Sequence, residues 1–589
     1  MIGTVLIATG LIAWIVVRNK CVGTPKPLRR GSSQGGDGIP VRCTAKKLQN
    51  IKTPDVTVIG SGPGGLVVAA ALARGWGLRV HVFDQHKTEA GGTLHCWDDA
   101  PTRHDVGERT ESRTYETGYH YMGRWKDMLP FVRLASPNVE WECGWEEKHH
   151  GGIVIDRVGV NGKTVHCVGG GPEDGRRKWM EALIRAFPGE KSKTMALAQE
   201  MKAAAMYSRL HYILKLFPYR LEALAVSCME YLELIGLKML PFYRKHTLDD
   251  MLRTHDVSSE LSALFRARYG NHGCNTAPMI VHASMVEHFH DGLIFPRGGP
   301  RAWVSDMIKS VQGAGGQVYI NAPVVRITSG SIHVNTGGIP TIIPSGPRIV
   351  SNAGLANTFR MVNRRVPPHV VPGQSHISVF VALGGTAEDL NLPSTNLWHI
   401  GSSLKKAERD TWLWKHTTLP ETSDIVPAFI SFPTAKVASR RHESATAIII
   451  VPFEKHNLPN SAIDYENFKT RIARTLLNLM YDYFPTTRNK VVRYTVGTPK
   501  TNQHYLNSDG GSSYGSNLSV GPRWSGPMHR PEGISHIQSN LFITGQDVTS
   551  NGIAGATLAA FLCVCRMQGY TGLASVFGKG QLLDVLRSK

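Results

Sequence analysis

An α/β fold, in which a parallel nucleotide-binding sheet is interrupted by a second domain of mixed sheet and helices, is predicted by three observations. Residues 55–59 read as a short buried strand running into a G-x-G-x-x-G turn (Gly60, Gly62, Gly65, with Gly64 inside it), and an Ala/Leu/Val-rich helix over residues 66–74 follows at once. Residues 79–83 read as a second strand ending on Asp84, roughly 20 residues past the glycines, where a ribose-binding carboxylate belongs. Near the far end of the chain, a strand at residues 541–543 leads through Gly545, Gln546 and Asp547 to Gly552 and a small-residue helix running to Cys565.

Each glycine of the first turn has its own task. Gly60 makes the tight turn, Gly62 lets the backbone approach a pyrophosphate, and Gly65 lets helix and strand pack closely. The helix start then presents free N–H groups and a positive dipole end to the phosphates. The C-terminal strand, turn and helix start form a second site of the same kind, aimed at an anion or a polar ring edge. A lone G-x-G-x-x-G is weak in a chain with 60 glycines. Here the strand before it, the helix after it and Asp84 supply the context that defines a Rossmann-type unit.

At 589 residues the chain exceeds one compact core, and 42% hydrophobic with 19% charged residues describes a globular protein. The net charge of +20 raises nucleic acid as a partner. No zinc-finger spacing, no aromatic/basic strand-binding motif and no long basic run in the body supports it, so no nucleic acid is expected. The nine cysteines follow no framework spacing, and nothing asks for an oxidising compartment. His282, His288 and His290, the last two on one face of an expected strand, lack a carboxylate or cysteine cluster, so no metal is expected. Arg440, Arg441 and His442 read as a surface charge run.

The N-terminus is a separate matter. Residues 2–17 carry no charge and span about 24 Å as a helix, short for a bilayer but workable in a thin one. Arg18, Lys20, Lys26, Arg29 and Arg30 follow, which favours an uncleaved anchor with a cytosolic body; a cleaved signal peptide is the rival reading.

Along the chain, residues 1–20 are expected as the hydrophobic anchor or signal helix and 21–50 as a basic flexible linker. Nucleotide-binding segments follow at 51–123, 293–365 and 536–589, and substrate-domain segments at 124–292 and 366–535. Alternating runs near residues 152–155 and 164–168 suggest strands of a second sheet, and residues 178–252 read as helical with a break at Pro218. Tyr207, Leu210, Leu214 and Phe217 recur at helical spacing, as core packing or as a membrane-dipping lid at a lipid entrance. Residues 324–327 and 349–354 read as strands returning to the nucleotide domain.

Several segments carry a resemblance. Residues 116–123 (ETGYHYMG), Phe295-Pro296-Arg297-Gly298-Gly299 and Thr544-Gly545-Gln546-Asp547 stand in the order and form seen in the FAD-dependent phytoene desaturase–amine oxidase superfamily. The chain is most similar to its retinol saturase and carotenoid isomerase branch, from about residue 54 to 570. The resemblance implies an FAD-binding, glutathione-reductase-like Rossmann domain. In it Gly60, Gly62, Gly64 and Gly65 hold the pyrophosphate and Asp84 the adenosine ribose. Gly91 and Gly92 lie against the flavin diphosphate, Gly545 and Asp547 at the pyrophosphate and ribityl region, and the helix after Gly552 faces the isoalloxazine. The double glycine is followed by Thr93-Leu94-His95 and lacks the arginine of amine oxidases, which argues against that activity.

The resemblance also implies a membrane-bound enzyme of the endoplasmic reticulum acting on C=C bonds of a hydrophobic polyene lipid, foremost all-trans-retinol to 13,14-dihydroretinol. Carotenoid isomerisation or desaturation is the alternative, and a flavin-free, GDP-dissociation-inhibitor-like lipid-binding protein is the alternative of another class. Reducing a polyene bond requires hydride on one carbon and a proton on its neighbour, so an acid near the flavin is expected. His120 and Tyr121 lie in the segment expected nearest the ring, as proton donors or as mere packing. A single G-x-G-x-x-G in a strand–turn–helix setting leaves no separate nicotinamide domain. NAD or NADP, or an electron-donor reductase, remains possible as the source of reducing equivalents.

Overall fold

The computed structural model describes residues 36–98, 113–120, 122–123, 128–143, 148–149, 152–160, 163–169, 175–267, 276–290, 292–401 and 428–587. The expected N-terminal hydrophobic helix and Tyr121 lie outside them. Among the described residues, one helix is long and apolar enough to cross a membrane, and it stands at the other end of the chain. It is the stretch Gly552–Gly569, two thirds of it buried in the protein.

Six parallel strands form the nucleotide sheet. In spatial order they are Val41–Arg42, Gln317–Ile320, Val80–Phe83, Val56–Ile59, Arg348–Ser351 and Leu541–Ile543. The strands Val56–Ile59 and Val80–Phe83 are buried at every position, as expected where helices cover both faces of a parallel sheet. The helix Pro63–Trp76 begins with proline in its first turn and ends on Gly77, whose φ of 65° only glycine adopts without strain. It is buried on nearly all sides because it packs against the helices Leu129–Ala135, Gly299–Gly313 and Gly552–Arg587. From Val56–Ile59 the chain builds outward through Val80–Phe83 on one side, and returns through Arg348–Ser351 on the other. The glycine turn therefore sits at the point where strand order reverses, the place where open α/β sheets bind ligands.

The second sheet has eight strands, with His376–Thr386 paired antiparallel to both Ser444–Pro452 and Val491–Gly497. Period-two alternation assigns its faces. Val379, Val381, Ile449 and Val451 pack on the helix Ala462–Tyr483, whereas Phe380, Ala382, Ile448 and Ile450 face the helices between Gly175 and His290. The strands Gly152–Val160 and Lys163–Gly169 form an antiparallel pair at the far edge of this sheet. The helical run breaks at Pro218 into Lys191–Leu214 and Tyr219–Glu233. Tyr207, Leu214 and Phe217 are buried, so that stripe is core.

Residues 324–327 are a strand, paired antiparallel with Ser331–Thr336, which pairs in turn with Ile339–Pro344, and Ile327, Ile332, Val334 and Ile343 share the core of the nucleotide sheet. Three expectations are corrected. The linker is not flexible throughout: Val41–Arg42 extends the parallel sheet, Cys43 N donates to the Ile320 carbonyl, and Leu48 of the helix Ala45–Gln49 is buried. His288 and His290 lie on the helix Met279–His290, where His288 Nε2 accepts from Gly123 N at 2.8 Å. Arg440 is buried rather than at the surface, because Glu116 and Glu443 partner its guanidinium.

Candidate functional site: a two-ended dinucleotide cradle

The two glycine turns meet over the ends of the central strands. Gly60, at φ 93°, turns the chain, and its N–H donates to the Phe83 carbonyl at 2.8 Å. A side chain on Gly65 would place Cβ 2.0 Å from the Gly60 carbonyl oxygen, so helix and strand close only without one. Cβ atoms on Gly64 and Gly545 would each stand 2.7 Å from Asn352 Oδ1, and one on Gly64 also 3.0 Å from the Gly545 backbone. Asn352, just past the strand Arg348–Ser351, thus fills the junction of the two turns. The sequence reading missed it, and its place directly after a buried parallel strand was the available signal.

Asp84 stands at the end of its strand, and Ser61 holds it there. Asp84 Oδ2 accepts from Ser61 N (2.6 Å) and Ser61 Oγ (2.7 Å), and Oδ1 accepts from His86 N (2.8 Å). Ser61 Oγ in turn accepts from Gly91 N at 3.0 Å, joining the glycine turn, Asp84 and the double glycine. A carboxylate offers about four acceptor sites, so one remains on Oδ1 for a ribose hydroxyl. Gly92, at φ 57°, brings its own backbone so near that a Cβ would lie 2.7 Å from Gly62 Cα.

Asp547 is similarly occupied. Oδ1 accepts from Ser516 N (2.6 Å) and Ser516 Oγ (2.8 Å), and Oδ2 accepts from Leu355 N (2.6 Å). Burial opposes its charge, but Arg523 and these donors outweigh burial and hold the carboxyl below its ordinary value. Arg523 also donates to the carbonyls of Ser516 and Gln546, at 2.7 and 2.6 Å. Gln546 Oε1 accepts from Gly552 N at 2.9 Å, tying the turn to the following helix.

These parts line one cavity of about 1010 Å³, with Gly60, Gly62, Gly64, Asp84, Gly92, Gly545, Asp547 and Gly552 all on its wall. Gly65 and Gly91 stand behind that wall. The cavity continues past the glycines to His120, His376, Phe380, Ile450 and Tyr514, at the helix-facing side of the second sheet. Among its lining atoms, Thr544 Oγ1, His120 Nδ1 and His376 Nδ1 are buried with no hydrogen-bond partner. A side-chain-free cradle at one end and orphaned polar atoms along the wall fit an extended dinucleotide with room for a second molecule beyond it.

His120 packs edge-on against Phe429, with ring centroids 4.9 Å apart. Burial, with lesser contributions from Lys436 and His376, pushes its imidazole down to about 3, so the ring is neutral at pH 7. His376 is held down to about 4 by burial. Beneath them the Lys436 amine donates to the Ser394 carbonyl (2.9 Å) and Asn396 Oδ1 (2.5 Å), and Asn396 donates to Asp156 Oδ1 (3.2 Å). Burial takes Lys436 down to about 7, against the pull of Asp156 and Glu116.

Lys436 thereby makes stability depend on pH. Between pH 7 and the ordinary lysine value the unfolded chain binds a proton that the folded chain lacks, so stability rises with pH through that window. Lys436→Met is expected to remove a slope of up to about 1.4 kcal/mol per pH unit. Thermal midpoints at pH 7 and pH 9 check it, and an unchanged difference between them would refute the assignment.

A parallel sheet whose two glycine turns close on one extended cavity defines a dinucleotide-binding oxidoreductase. The sequence pattern of NAD(P)-binding Rossmann-like domains matches residues 58–129. Cyclohexylamine oxidase from Brevibacterium oxydans IH-35A shares the fold at a TM-score of 0.54 and 13% identity, over 88% of this chain and 100% of that one. Human all-trans-retinol 13,14-reductase is 30% identical over 86% of this chain and 84% of its own length. Carrot chloroplastic prolycopene isomerase is 24% identical over 52% of this chain and 49% of its own. The chain belongs to the all-trans-retinol 13,14-reductase family.

Proposed function

We propose that this chain is an FAD-dependent oxidoreductase that saturates a C=C bond of a retinoid-like polyene, foremost all-trans-retinol to its 13,14-dihydro product. One observation carries the reading: the cradle opens directly onto an apolar wall with neutral, unpartnered imidazole nitrogens, while the lining residues Glu89, Asp98, Arg360 and Asp509 are spent in ion pairs within the protein. That suits a long hydrocarbon ending in a hydroxyl. Family membership agrees with it and with catalysis rather than flavin-free lipid carriage.

In this reading Gly60, Gly62, Gly64 and Gly92 give the pyrophosphate its close approach, Gly65 lets the helix close on the strand behind them, and the first turns of the helices that begin at Pro63 and Gly552 supply N–H groups. Asp84 takes a ribose hydroxyl on its remaining lone pair. Asp547 fixes the Leu355 and Ser516 segments and offers its last lone pair to the ribityl region. Gly91 and Gly545 keep the surrounding backbone clear. Bound there and reduced, the flavin would supply the hydride and be left oxidised. His120 moves the proton: a neutral imidazole gives up its N–H as it takes a proton on the other nitrogen, which makes it a relay and not a standing acid. Ile450 and Phe380 keep the reacting carbons dry.

Reducing equivalents come from NAD or NADP in its reduced form, or from an electron-donor reductase, and the charge-free residues 2–17 with the cations behind them support a place in the endoplasmic reticulum membrane.

FAD-loaded protein incubated with all-trans-retinol and with a poly-cis carotenoid under reducing conditions is expected to yield a dihydroretinoid. An isomerised carotenoid with untouched retinol would overturn saturation in favour of isomerisation. His120→Gln is expected to keep its flavin while turnover falls by about 100-fold or more. Loss of flavin in that variant, or unchanged turnover, would remove His120 from the proton path.

A further inference from the structure

No residue of the helix Tyr219–Glu233 lines the cavity, and the helix shows apolar side chains on both of its faces. Glu222, Ala225 and Met229 turn inward. Leu224 (62% exposed), Cys228 and Tyr231 (71%) recur on the outward face at steps of four and three, and Ile235 (70%) continues the row into the following turn. Leu234 and Leu237, 80% and 49% exposed, flank it. Soluble surfaces carry single exposed aliphatics, whereas a contiguous row at a protruding turn marks a contact.

The charge around the row names the contact. From Lys191 to Lys245 there are nine lysines and arginines against four glutamates and no aspartate. Those acids are engaged within the protein. Glu222 pairs with Arg244 and Arg530 in the interior. Glu230 pairs with Lys245, Glu200 with Lys238, and Glu233 accepts from the Met239 and Phe242 amides. Lys202 and Arg220 are exposed at the rim beyond these pairs, and Lys238 and Lys245 stay exposed beside their glutamates. A tyrosine and three to four aliphatics at a tip, ringed by long cationic side chains, match the boundary between acyl chains and anionic headgroups.

We propose that the outward face of the helix Tyr219–Glu233 and the turn through Leu237 dock on an anionic bilayer surface, with Tyr231, Leu234, Ile235 and Leu237 at the acyl boundary and the rim cations among the headgroups. The inference deepens the reading of a membrane-borne polyene substrate and rests on it for its purpose. It adds a contact within the folded body, separate from the N-terminal segment. A second contact would fix the orientation of the body to the membrane.

Cys228 lies on the proposed face and serves as its own reporter. In full-length protein with Cys21, Cys143 and Cys274 changed to serine, an environment-sensitive fluorophore on Cys228 is expected to shift to the blue on phosphatidylcholine–phosphatidylserine vesicles. Shallow spin-labelled lipids are expected to quench it, and the response on phosphatidylcholine alone should be several-fold weaker. Leu234→Asp with Ile235→Asp should weaken that response by about tenfold or more. A label on Cys143, with Cys228→Ser, is expected to stay aqueous.

A Cys228 label that remains in water while the protein sediments with vesicles overturns the proposal. So does a shift that needs no vesicles and grows with protein concentration, which would mean a second copy on the face. An equal response on neutral vesicles overturns its charge component. Flavin content and retinol turnover of the same preparation report separately on the catalytic reading.

Discussion

Gly62→Val is expected to yield a folded protein without flavin. Gly62 sits at φ −61° and ψ 171°, a conformation that any residue adopts, so the substitution adds no backbone strain. Its Cβ would meet only the Asn352 amide, at 2.9 Å, and that side chain can shift. The valine methyl groups would instead occupy the wall of the cavity at the helix start, where the diphosphate must touch backbone. Holding the diphosphate away from those N–H donors costs about 3 kcal/mol or more, on the order of 100-fold in affinity. Visible flavin absorbance and the thermal midpoint of the apoprotein check both halves. Full flavin content in this variant would remove the pyrophosphate from the first turn.

Arg440→Met is expected to give the largest loss of stability, about 3–5 kcal/mol, because it strands a buried carboxylate. Arg440 Nη1 donates to Glu116 Oε1 at 2.6 Å, with 5% and 2% of the two side chains exposed. Its Nε and Nη2 reach Glu443, and its guanidinium lies over the Phe295 ring, 5.7 Å from the centroid. Burial drives the Glu116 carboxyl up, and Arg440 only partly offsets it; Glu116 and Glu443 keep Arg440 charged despite its burial. Adding Glu116→Gln to Arg440→Met should recover part of the loss, since the double variant leaves no unpaired charge. Urea midpoints of the two single variants and the double test it. A double variant no more stable than Arg440→Met would show that packing on Phe295, not charge, holds this joint.

The same ion pair shows what sequence reading reaches. The nucleotide strands were legible because parallel strands buried on both faces are short Val/Ile runs, and the turns after them because only glycine fits. Alternation pointed to strands near residues 152–155 and 164–168, within the longer strands Gly152–Val160 and Lys163–Gly169. Arg440 was not: paired and unpaired arginines look alike along a chain, and Glu116, its partner, lies in a different segment. The strand reading of His288 and His290 failed for a related reason. Two histidines one residue apart carry no periodicity, and they lie at the end of the twelve-residue helix Met279–His290. Asp84 and Asp547 were picked out by position, and both line the cavity. That most of each carboxylate is spent on Ser61, His86, Ser516 and Leu355 required coordinates.

The sheet order has a consequence for how the protein is made. Leu541–Ile543 is an edge strand, added beside Arg348–Ser351, and five strands can assemble before it arrives. Gly545 and Gly552 follow that strand, so the second turn of the cradle is made only after the first five strands. A chain cut short before Leu541 keeps those strands but lacks half of the cradle, and is expected to fold without retaining flavin.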